Sequence, residues 1–187
     1  MNREITKLFG NRVALQLVEE EYKGLIVPTP TAEKLHVLSK VVAVGDKVTL
    51  DIKVNDILFW QTNSMIQKHC RFDLNGVPTF VLLVGDMVAR LTEQLVTRAN
   101  FHILGEYLLL KREVIQPKRI ILPDEVVEAN QETTVRFLLD DKGASVKVEA
   151  EAGQELLVDR SRANPIKLED TLYSYLHSNY VLGTVGS

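Results

Sequence analysis

Residues 11–28 read NRVALQLVEEEYKGLIVP, and residues 106–123 read EYLLLKREVIQPKRIILP. The two stretches align without a gap at an offset of 95 residues, from position 11 to position 106. Each begins with a short apolar run, continues through charged residues and ends in an aliphatic triplet followed by proline. A stretch that recurs in this order predicts two copies of one structural unit rather than one larger domain.

The repeat continues through each half of the chain with small changes of offset. Its further matches are residues 41–46 with 135–140, residues 55–59 with 153–157, and residues 86–89 with 179–182. The identities are few and aliphatic strands align easily by chance, so it is the shared order of features that indicates a repeat. We therefore predict two domains, residues 1–97 and residues 98–187, with the boundary near Thr97.

The chain is predicted to be all-β. Short β-branched or aliphatic runs of strand length lie at residues 13–18, 37–44, 57–60, 77–84, 107–110, 135–139, 155–158 and 172–176. Turn-forming residues separate them, at Gly45-Asp46, Asn55-Asp56, Asn75-Gly76, Asp141-Lys142-Gly143 and Asn164-Pro165. Helix-forming composition is confined to residues 86–100, which end in a stretch typical of a linker. Many short strands with turn residues between them favour sandwiches or barrels.

Composition and charge exclude several classes of function. The chain has 187 residues, of which 45% are hydrophobic and 25% charged, as in an average soluble globular protein. A formal net charge of −3 and no basic run argue against nucleic-acid binding. A polar N-terminus and short apolar runs favour neither export nor membrane insertion. The single cysteine, Cys70, forms no internal disulfide, which suits a reducing cytoplasm.

The sequence contains no recognisable catalytic or metal-binding constellation. The four histidines, His36, His69, His102 and His177, are scattered without the spacing of metal ligands. His69 and Cys70 are neighbours that would point to opposite faces of a strand, and Asp140-Asp141 is interpreted as part of a turn rather than as a carboxylate pair. We therefore expect a protein that is not an enzyme and has no cofactor or metal.

The first half resembles the GroES family of co-chaperonins. The resemblance covers nearly all of residues 8–91, and five segments carry it: Asn11-Arg12-Val13, Lys23-Gly24-Leu25-Ile26-Val27-Pro28, Val41-Val42-Ala43-Val44-Gly45, residues 54–59 and residues 84–89. The second of these resembles the core of the family's mobile loop. The second half keeps Ile120-Ile121-Leu122-Pro123 but has Arg119 where the first loop has a glycine, which makes positive φ less accessible there.

The resemblance implies two tandem GroES-like β-barrels, each with a long mobile loop. In the family, an excursion after the Val-Gly strand forms a hairpin that roofs the dome. The corresponding intervals, residues 46–53 and 140–151, are too short for a full roof hairpin. A similar shortening occurs in some bacteriophage co-chaperonins, which suggests the hypothesis of a phage or otherwise divergent origin. The expected location is the cytoplasm, and for a phage protein it is the host cytoplasm.

The resemblance also implies the function and the binding residues. The protein is expected to assemble into a ring-shaped homo-oligomer, to cap a GroEL-type chaperonin and to assist ATP-dependent folding of an unfolded client that it encloses without binding it directly. The expected chaperonin-binding residues are Gly24, Leu25, Ile26, Val27, Ile120, Ile121 and Leu122. Whether one loop or both loops bind is left open. The alternative is an oligomeric structural or assembly protein that retains the barrels without binding a chaperonin.

Overall fold

The computed structural model describes residues 5–18, 36–61, 71–93, 96–115 and 134–186. These residues form thirteen β-strands and three short 3-10 helices, at Val84–Asp86, Arg160–Arg162 and Ser178–Tyr180. All strand pairs are antiparallel and belong to two sheets. The all-β prediction is confirmed.

The first sheet contains seven strands. In chain order they are β1 (Arg12–Leu17), β2 (His36–Val44), β3 (Ile57–Gln61), β4 (Arg71–Leu74), β5 (Val77–Leu83), β6 (Met87–Leu91) and β7 (Phe101–Ile103). In space they run β4-β5-β1-β2-β3-β6-β7. The predicted boundary near Thr97 falls in the connection between β6 and β7, so β7 pairs with the first sheet although it follows that boundary.

The second sheet contains six strands in the same arrangement. They are β8 (Tyr107–Ile115), β9 (Thr134–Lys142), β10 (Glu155–Val158), β11 (Asn164–Leu168), β12 (Thr171–His177) and β13 (Val181–Thr184). Their spatial order, β11-β12-β8-β9-β10-β13, repeats that of β4, β5, β1, β2, β3 and β6. In the part of the chain that the structure describes, strand pairing closes neither sheet into a barrel.

Details of the two sheets correspond residue by residue. The pairing shifts by one residue between Ala14 and Leu15, where Val42 of β2 is the extra residue. It shifts at the same place between Leu109 and Leu110, where Asp140 of β9 is the extra residue. The register corrects part of the sequence alignment: Val41 corresponds to Leu139, because they lie opposite Leu15 and Leu110. The sequence alignment matched Val41 with Val135 instead. Runs of aliphatic residues look alike at several offsets, so only the pairing partners define the register.

The last strand is corrected in the same way. Met87 lies opposite Trp60, and Val181 lies opposite Val158, so Met87 corresponds to Val181 rather than to Tyr180. Val88 then corresponds to Leu182. The correct offset here is one residue larger than the one the sequence comparison gave.

All eight strands that the sequence predicted are present, with ends that differ by a few residues. Two predicted turns are wrong. Asn164 and Pro165 open β11, where proline is tolerated because β11 is the edge strand of its sheet. Asp141 and Lys142 lie in β9 rather than in a turn.

The two intervals predicted to lack a roof hairpin contain turns and no strand. After β2 and β9 the chain passes through residues 45–56 and 143–154, and this interval begins later in the second half than expected because β9 extends to Lys142. At the start of each interval a glycine lies tightly against another glycine's carbonyl oxygen: Gly45 against Gly10, and Gly143 against Gly105. A side chain at either position would overlap that oxygen.

Each sheet has its own core, and a third core joins them. The inward residues of β1, β2, β3, β5 and β6 share one apolar cluster, and those of β8, β9, β10 and β12 share another. The joining cluster contains residues of both sheets and of β7: Leu38, Ile57, Phe59, Val88, Ala89, Leu91, Phe101, Ile103, Leu109, Ile166, Leu168, Tyr173 and Tyr175. We call this cluster the shared core.

The two sheets contribute different surfaces to the shared core. The first sheet uses the outer face of β2, β3 and β6, whereas the second uses the outer face of β8, β11 and β12. The strands that correspond to β8, β11 and β12 are β1, β4 and β5. The repeats therefore pack head to tail, with unlike surfaces in contact.

Candidate functional site

The predicted chaperonin-binding residues lie outside the described residues. Gly24, Leu25, Ile26 and Val27 fall within residues 19–35, and Ile120, Ile121 and Leu122 fall within residues 116–133. The structure does describe where these two segments leave and rejoin the sheets. Residues 19–35 connect β1 to β2, and residues 116–133 connect β8 to β9, so both segments join corresponding strand pairs.

The ends of β1 and β2 that flank residues 19–35, which we call the base of the first segment, are paired and apolar. Leu17 lies opposite Ser39, and the Val18 amide donates a hydrogen bond of 3.2 Å to the Leu38 carbonyl. Val18 also packs against the shared core. The buried Ser39 accepts a hydrogen bond of 2.9 Å from the indole Nε1 of Trp60. The strands that carry the first segment are thus held by both sheet pairing and core packing.

The base of the second segment has the same pairing but different chemistry. Strand pairing continues to Ile115, which lies opposite Thr134. Arg136 Nε donates a 2.8 Å hydrogen bond to the Glu155 carboxylate, which raises the pKa of Arg136 above its usual value. The guanidinium of Arg112 lies 5.9 Å from the centre of the Phe137 ring. Charged side chains therefore lie near this end of β8 and β9, whereas apolar side chains lie near the corresponding end of β1 and β2.

Aromatic rings fix the position of one sheet on the other. The Phe59 ring meets Phe101 at a centroid distance of 5.4 Å and Tyr175 at 5.6 Å, both edge to face. Burial raises the pKa of the Tyr175 hydroxyl, and neighbouring Tyr107 adds to the shift. Edge-to-face aromatic pairs add about 0.5–1.5 kcal/mol each to the stabilisation from burial.

An ion-pair network crosses from the connection to the second sheet. Arg98 Nε donates to the Asp140 carboxylate at 2.5 Å, and its Nη2 lies 3.4 Å from Asp141. The same guanidinium donates to the Phe101 carbonyl at 3.2 Å. The two aspartates were interpreted from sequence as turn residues, but they lie in β9 and orient the connection between the repeats.

A polar cleft of about 490 Å³ lies beside His177. The Nε2 of His177 is 2.9 Å from the Glu106 carboxylate, and its Nδ1 accepts a 3.3 Å hydrogen bond from the Asn179 amide. Burial, and secondarily the charge of Asp86, raises the pKa of Tyr107 in the same cleft. His177 caps the short helix Ser178–Tyr180. This contact gives His177 a structural role.

The other candidate residues for chemistry are dispersed. His102 is exposed on β7, and His69 and Cys70 lie outside the described residues. No group of three or more potential metal ligands occurs in the described ranges. In the same ranges, no helix has the length and hydrophobicity that crossing a bilayer requires.

The sequence analysis missed a set of exposed apolar residues in the second half. Phe59 is 1% exposed, whereas the corresponding Leu157 is 58% exposed. Val88 is fully buried, whereas the corresponding Leu182 is 66% exposed. A correctly registered comparison of the repeats could have found these positions, since it shows apolar residues retained where the partner sheet is missing.

No protein-family model matches this sequence, and no curated protein is similar enough to it to count as a relative.

Proposed function

We propose that this protein is a co-chaperonin of the GroES type, made of two tandem GroES-like barrels, that caps a GroEL-type chaperonin and assists ATP-dependent folding. The chaperonin would bind Gly24, Leu25, Ile26 and Val27 of the first segment, and Ile120, Ile121 and Leu122 of the second. Copies of the chain would form a ring that encloses the client in the chaperonin chamber. The proposal assigns the protein no catalytic step, metal or cofactor.

The proposal is supported by the equivalence of two strand pairs, β1 with β2 and β8 with β9, which residues 19–35 and 116–133 connect. Each apolar triplet, followed by Pro28 or Pro123, belongs to the segment between corresponding strands of the two sheets. Prolines, charges and a central aliphatic triplet are typical of a segment that presents apolar side chains to a partner instead of adding to the sheet. An apolar triplet that occurs twice, between corresponding strands of both sheets, is better explained by a shared function than by chance.

The energetics favour weak binding by each loop and strong binding by several. Burial of three aliphatic side chains yields about 5–8 kcal/mol, and ordering a flexible segment costs on the order of 1 kcal/mol per residue. For a single loop the cost of ordering is therefore as large as the gain from burial, or larger. Several loops on one ring raise the effective concentration for each other, which gives tight but reversible capping. Such binding suits a lid that must dissociate in every cycle.

Substitution in both triplets tests the proposal. Ile26→Asp together with Ile121→Asp places a carboxylate in each proposed apolar contact, so we expect capping and assisted refolding of a client to fall to the level without the protein. A matched control carries Thr31→Asp with Gln131→Asp, which adds the same charge to the same segments outside the triplets. Refolding by the Ile26/Ile121 variant equal to that by the control would exclude these residues as the binding site.

Limited proteolysis provides a test without substitutions. Cleavage within residues 19–35 and 116–133 should slow when a chaperonin and ATP are added, because bound segments are no longer accessible. Cleavage that is the same with and without chaperonin would favour the alternative function, a structural or assembly protein. Protection of one segment alone would assign the contact to that repeat.

A further inference from the structure

The polar cleft of about 490 Å³ beside His177 is lined entirely by residues of the second repeat. Residues of the short helices Arg160–Arg162 and Ser178–Tyr180 line it, together with Asn164 at the start of β11. Tyr107 and His177, which lie opposite each other at the paired ends of β8 and β12, complete the lining. A cleft of this size accommodates a small organic molecule.

The strands beside the cleft are duplicated, but its side chains are not. The strand pairings match Tyr107, His177, Asn179 and Tyr180 to positions in the first repeat where the side chains are different. The corresponding residues are Arg12, Leu83, Gly85 and Asp86. The fold that the two repeats share therefore does not require these aromatic and amide groups, and a role confined to the second repeat explains them better.

Arg162 provides a cation whose hydrogen-bonding groups are available. Its guanidinium carbon lies 5.4 Å from the centre of the Tyr180 ring. Within the described ranges, the guanidinium makes neither a hydrogen bond nor a salt bridge. A guanidinium that is stacked on a ring is held in one orientation, so it loses little conformational freedom when it binds an anion.

The nearest carboxylate to this guanidinium along the chain, Asp159, already has other partners. It accepts hydrogen bonds from the Ser161 hydroxyl at 2.7 Å and from the Ser161 amide at 3.0 Å. These two bonds, with a smaller contribution from the charge of Arg162, lower the pKa of Asp159 below its usual value. Asp159 therefore shapes the turn that carries Arg162 and leaves the guanidinium without a salt bridge.

Three aromatic rings lie side by side along the cleft. The His177 ring is 5.5 Å from the Tyr107 ring and 6.4 Å from the Tyr180 ring between centroids, and both pairs are edge to face. Burial, with a smaller contribution from the charge of Asp86, raises the pKa of Tyr107, so its hydroxyl stays protonated and can donate a hydrogen bond at neutral pH. Such rings favour a ligand that contains a ring of its own.

The charges around the cleft favour a single negative charge on the ligand. The Glu106 carboxylate lies 2.9 Å from the Nε2 of His177, so this histidine already has an acidic partner. Arg162 is then left to bind one anion, and its planar fork matches the two oxygens of a carboxylate. A phosphate would bring a second negative charge close to Glu106, which makes a carboxylate the better match.

We propose that this cleft binds a small aromatic carboxylate, with the carboxylate on the Arg162 guanidinium and the ring beside Tyr107 and His177. The Nδ2 of Asn164 donates a 3.2 Å hydrogen bond to the Arg162 carbonyl, so β11 holds the short helix that carries the guanidinium. This binding site lies outside the two loop segments and goes beyond the proposed co-chaperonin function, on which it does not depend.

Titration with 4-hydroxybenzoate tests the site. The side-chain amide signals of Asn164 and Asn179 and the ring signals of His177 should shift saturably in NMR spectra. The neutral isostere 4-hydroxybenzamide and the ringless carboxylate acetate should each bind at least about tenfold more weakly, because each lacks one of the two contacts. The absence of a saturable shift, or equal binding of 4-hydroxybenzamide, would overturn the proposal.

Phenyl phosphate separates the two anion chemistries. It carries the same kind of ring with a dianionic group, so it should bind more weakly than 4-hydroxybenzoate at neutral pH. Tighter binding of phenyl phosphate would overturn the assignment to carboxylates.

Substitution of Arg162 tests the contact itself. Arg162→Gln should weaken 4-hydroxybenzoate binding at least about tenfold, because a charged hydrogen-bond donor is removed from an exposed position. Arg71→Gln is the matched control, since Arg71 is exposed on β4 and remote from the cleft lining. Unchanged Trp60 fluorescence verifies the fold of both variants. Equal affinities of the Arg162→Gln and Arg71→Gln variants would overturn the proposal.

A second variant changes the charge of the cleft without removing the arginine. Asn179→Asp places a carboxylate at the exposed rim and keeps the backbone amide that donates to His177. It should also weaken 4-hydroxybenzoate binding, because like charges repel. Affinity equal to that of the unmodified chain would contradict the placement of the ligand carboxylate in this cleft.

The ligand site and the proposed function fail separately. The titrations contain no chaperonin, and the variant with Ile26→Asp and Ile121→Asp should bind 4-hydroxybenzoate like the unmodified chain. Capping without binding of 4-hydroxybenzoate overturns only the ligand site. Binding of 4-hydroxybenzoate by a chain that does not cap a chaperonin supports the ligand site and overturns only the co-chaperonin function.

Discussion

At the residue scale, Phe59 is a buried aromatic contact between the two repeats. Its ring is 1% exposed and meets an aromatic ring from β7, Phe101, and one from the second sheet, Tyr175. A single side chain thus links three parts of the chain that are far apart in sequence. Loss of this ring would leave a cavity that neither rigid sheet can easily fill.

Phe59→Ala is predicted to lower the free energy of unfolding by about 3–5 kcal/mol, as is typical for removal of a buried aromatic side chain. Urea unfolding at fixed protein concentration measures the change. Val54→Ala, at an exposed position, is the comparison and should stay within about 0.5 kcal/mol of the unmodified chain. Equal effects of the two substitutions would contradict the role given to the Phe59 ring.

At the element scale, the turn after β2 and the turn after β9 share one close backbone contact. Gly45 lies against the Gly10 carbonyl oxygen and Gly143 against that of Gly105. Gly45 and Gly143 must be glycine because a side chain there would overlap the backbone of a distant segment. Their own backbone angles impose no such requirement. Each contact fixes the start of β1 or β8, and therefore the strand that leads into residues 19–35 or 116–133.

Gly45→Ala and Gly143→Ala are each predicted to destabilise the protein by about 1–3 kcal/mol, because the added methyl group must displace backbone atoms. Thermal unfolding followed by circular dichroism would measure both effects. Gly85→Ala is the control, since a side chain there meets no atom within 4 Å. A loss of stability with Gly85→Ala similar to that with Gly45→Ala would contradict the steric explanation.

Sequence predicted the long apolar strands well because their composition and flanking turns are distinctive, as for β2 and β12. It placed β6 and β13 only as the last matched part of the repeat, and it missed β4, β7 and β11, which are short and contain polar residues or proline. Their pairing depends on neighbours that are distant in sequence. The register predicted for β9 was wrong for the same reason, because only its pairing with β8 defines it. The loop triplets were identified by composition and repetition, and their positions remain predictions.

At the scale of the whole molecule, the shared core makes the two repeats one folding unit. Its residues come from β2, β3, β6 and β7 of the first sheet and from β8, β11 and β12 of the second. Separation of the repeats would expose a continuous apolar surface on both. Equilibrium unfolding should therefore involve both sheets together, although each has a core of its own.

Leu156→Ala tests whether the two repeats unfold together. Leu156 lies in the core of the second sheet, whereas Trp60, the single tryptophan of the chain, lies in the core of the first. The substitution should lower the free energy of unfolding by about 2–5 kcal/mol, and the change should appear fully in Trp60 fluorescence. Far-UV circular dichroism should give the same midpoint. A Trp60 transition that does not move would mean that the repeats unfold independently.

The peptide connection between β6 and β7 has a consequence for dilution. The contact between the two repeats lies within one chain and is held by this covalent link, so its effective concentration is fixed. Dilution, which would separate one chain from another, therefore leaves the two repeats together. Any assembly of this chain gains or loses repeats two at a time.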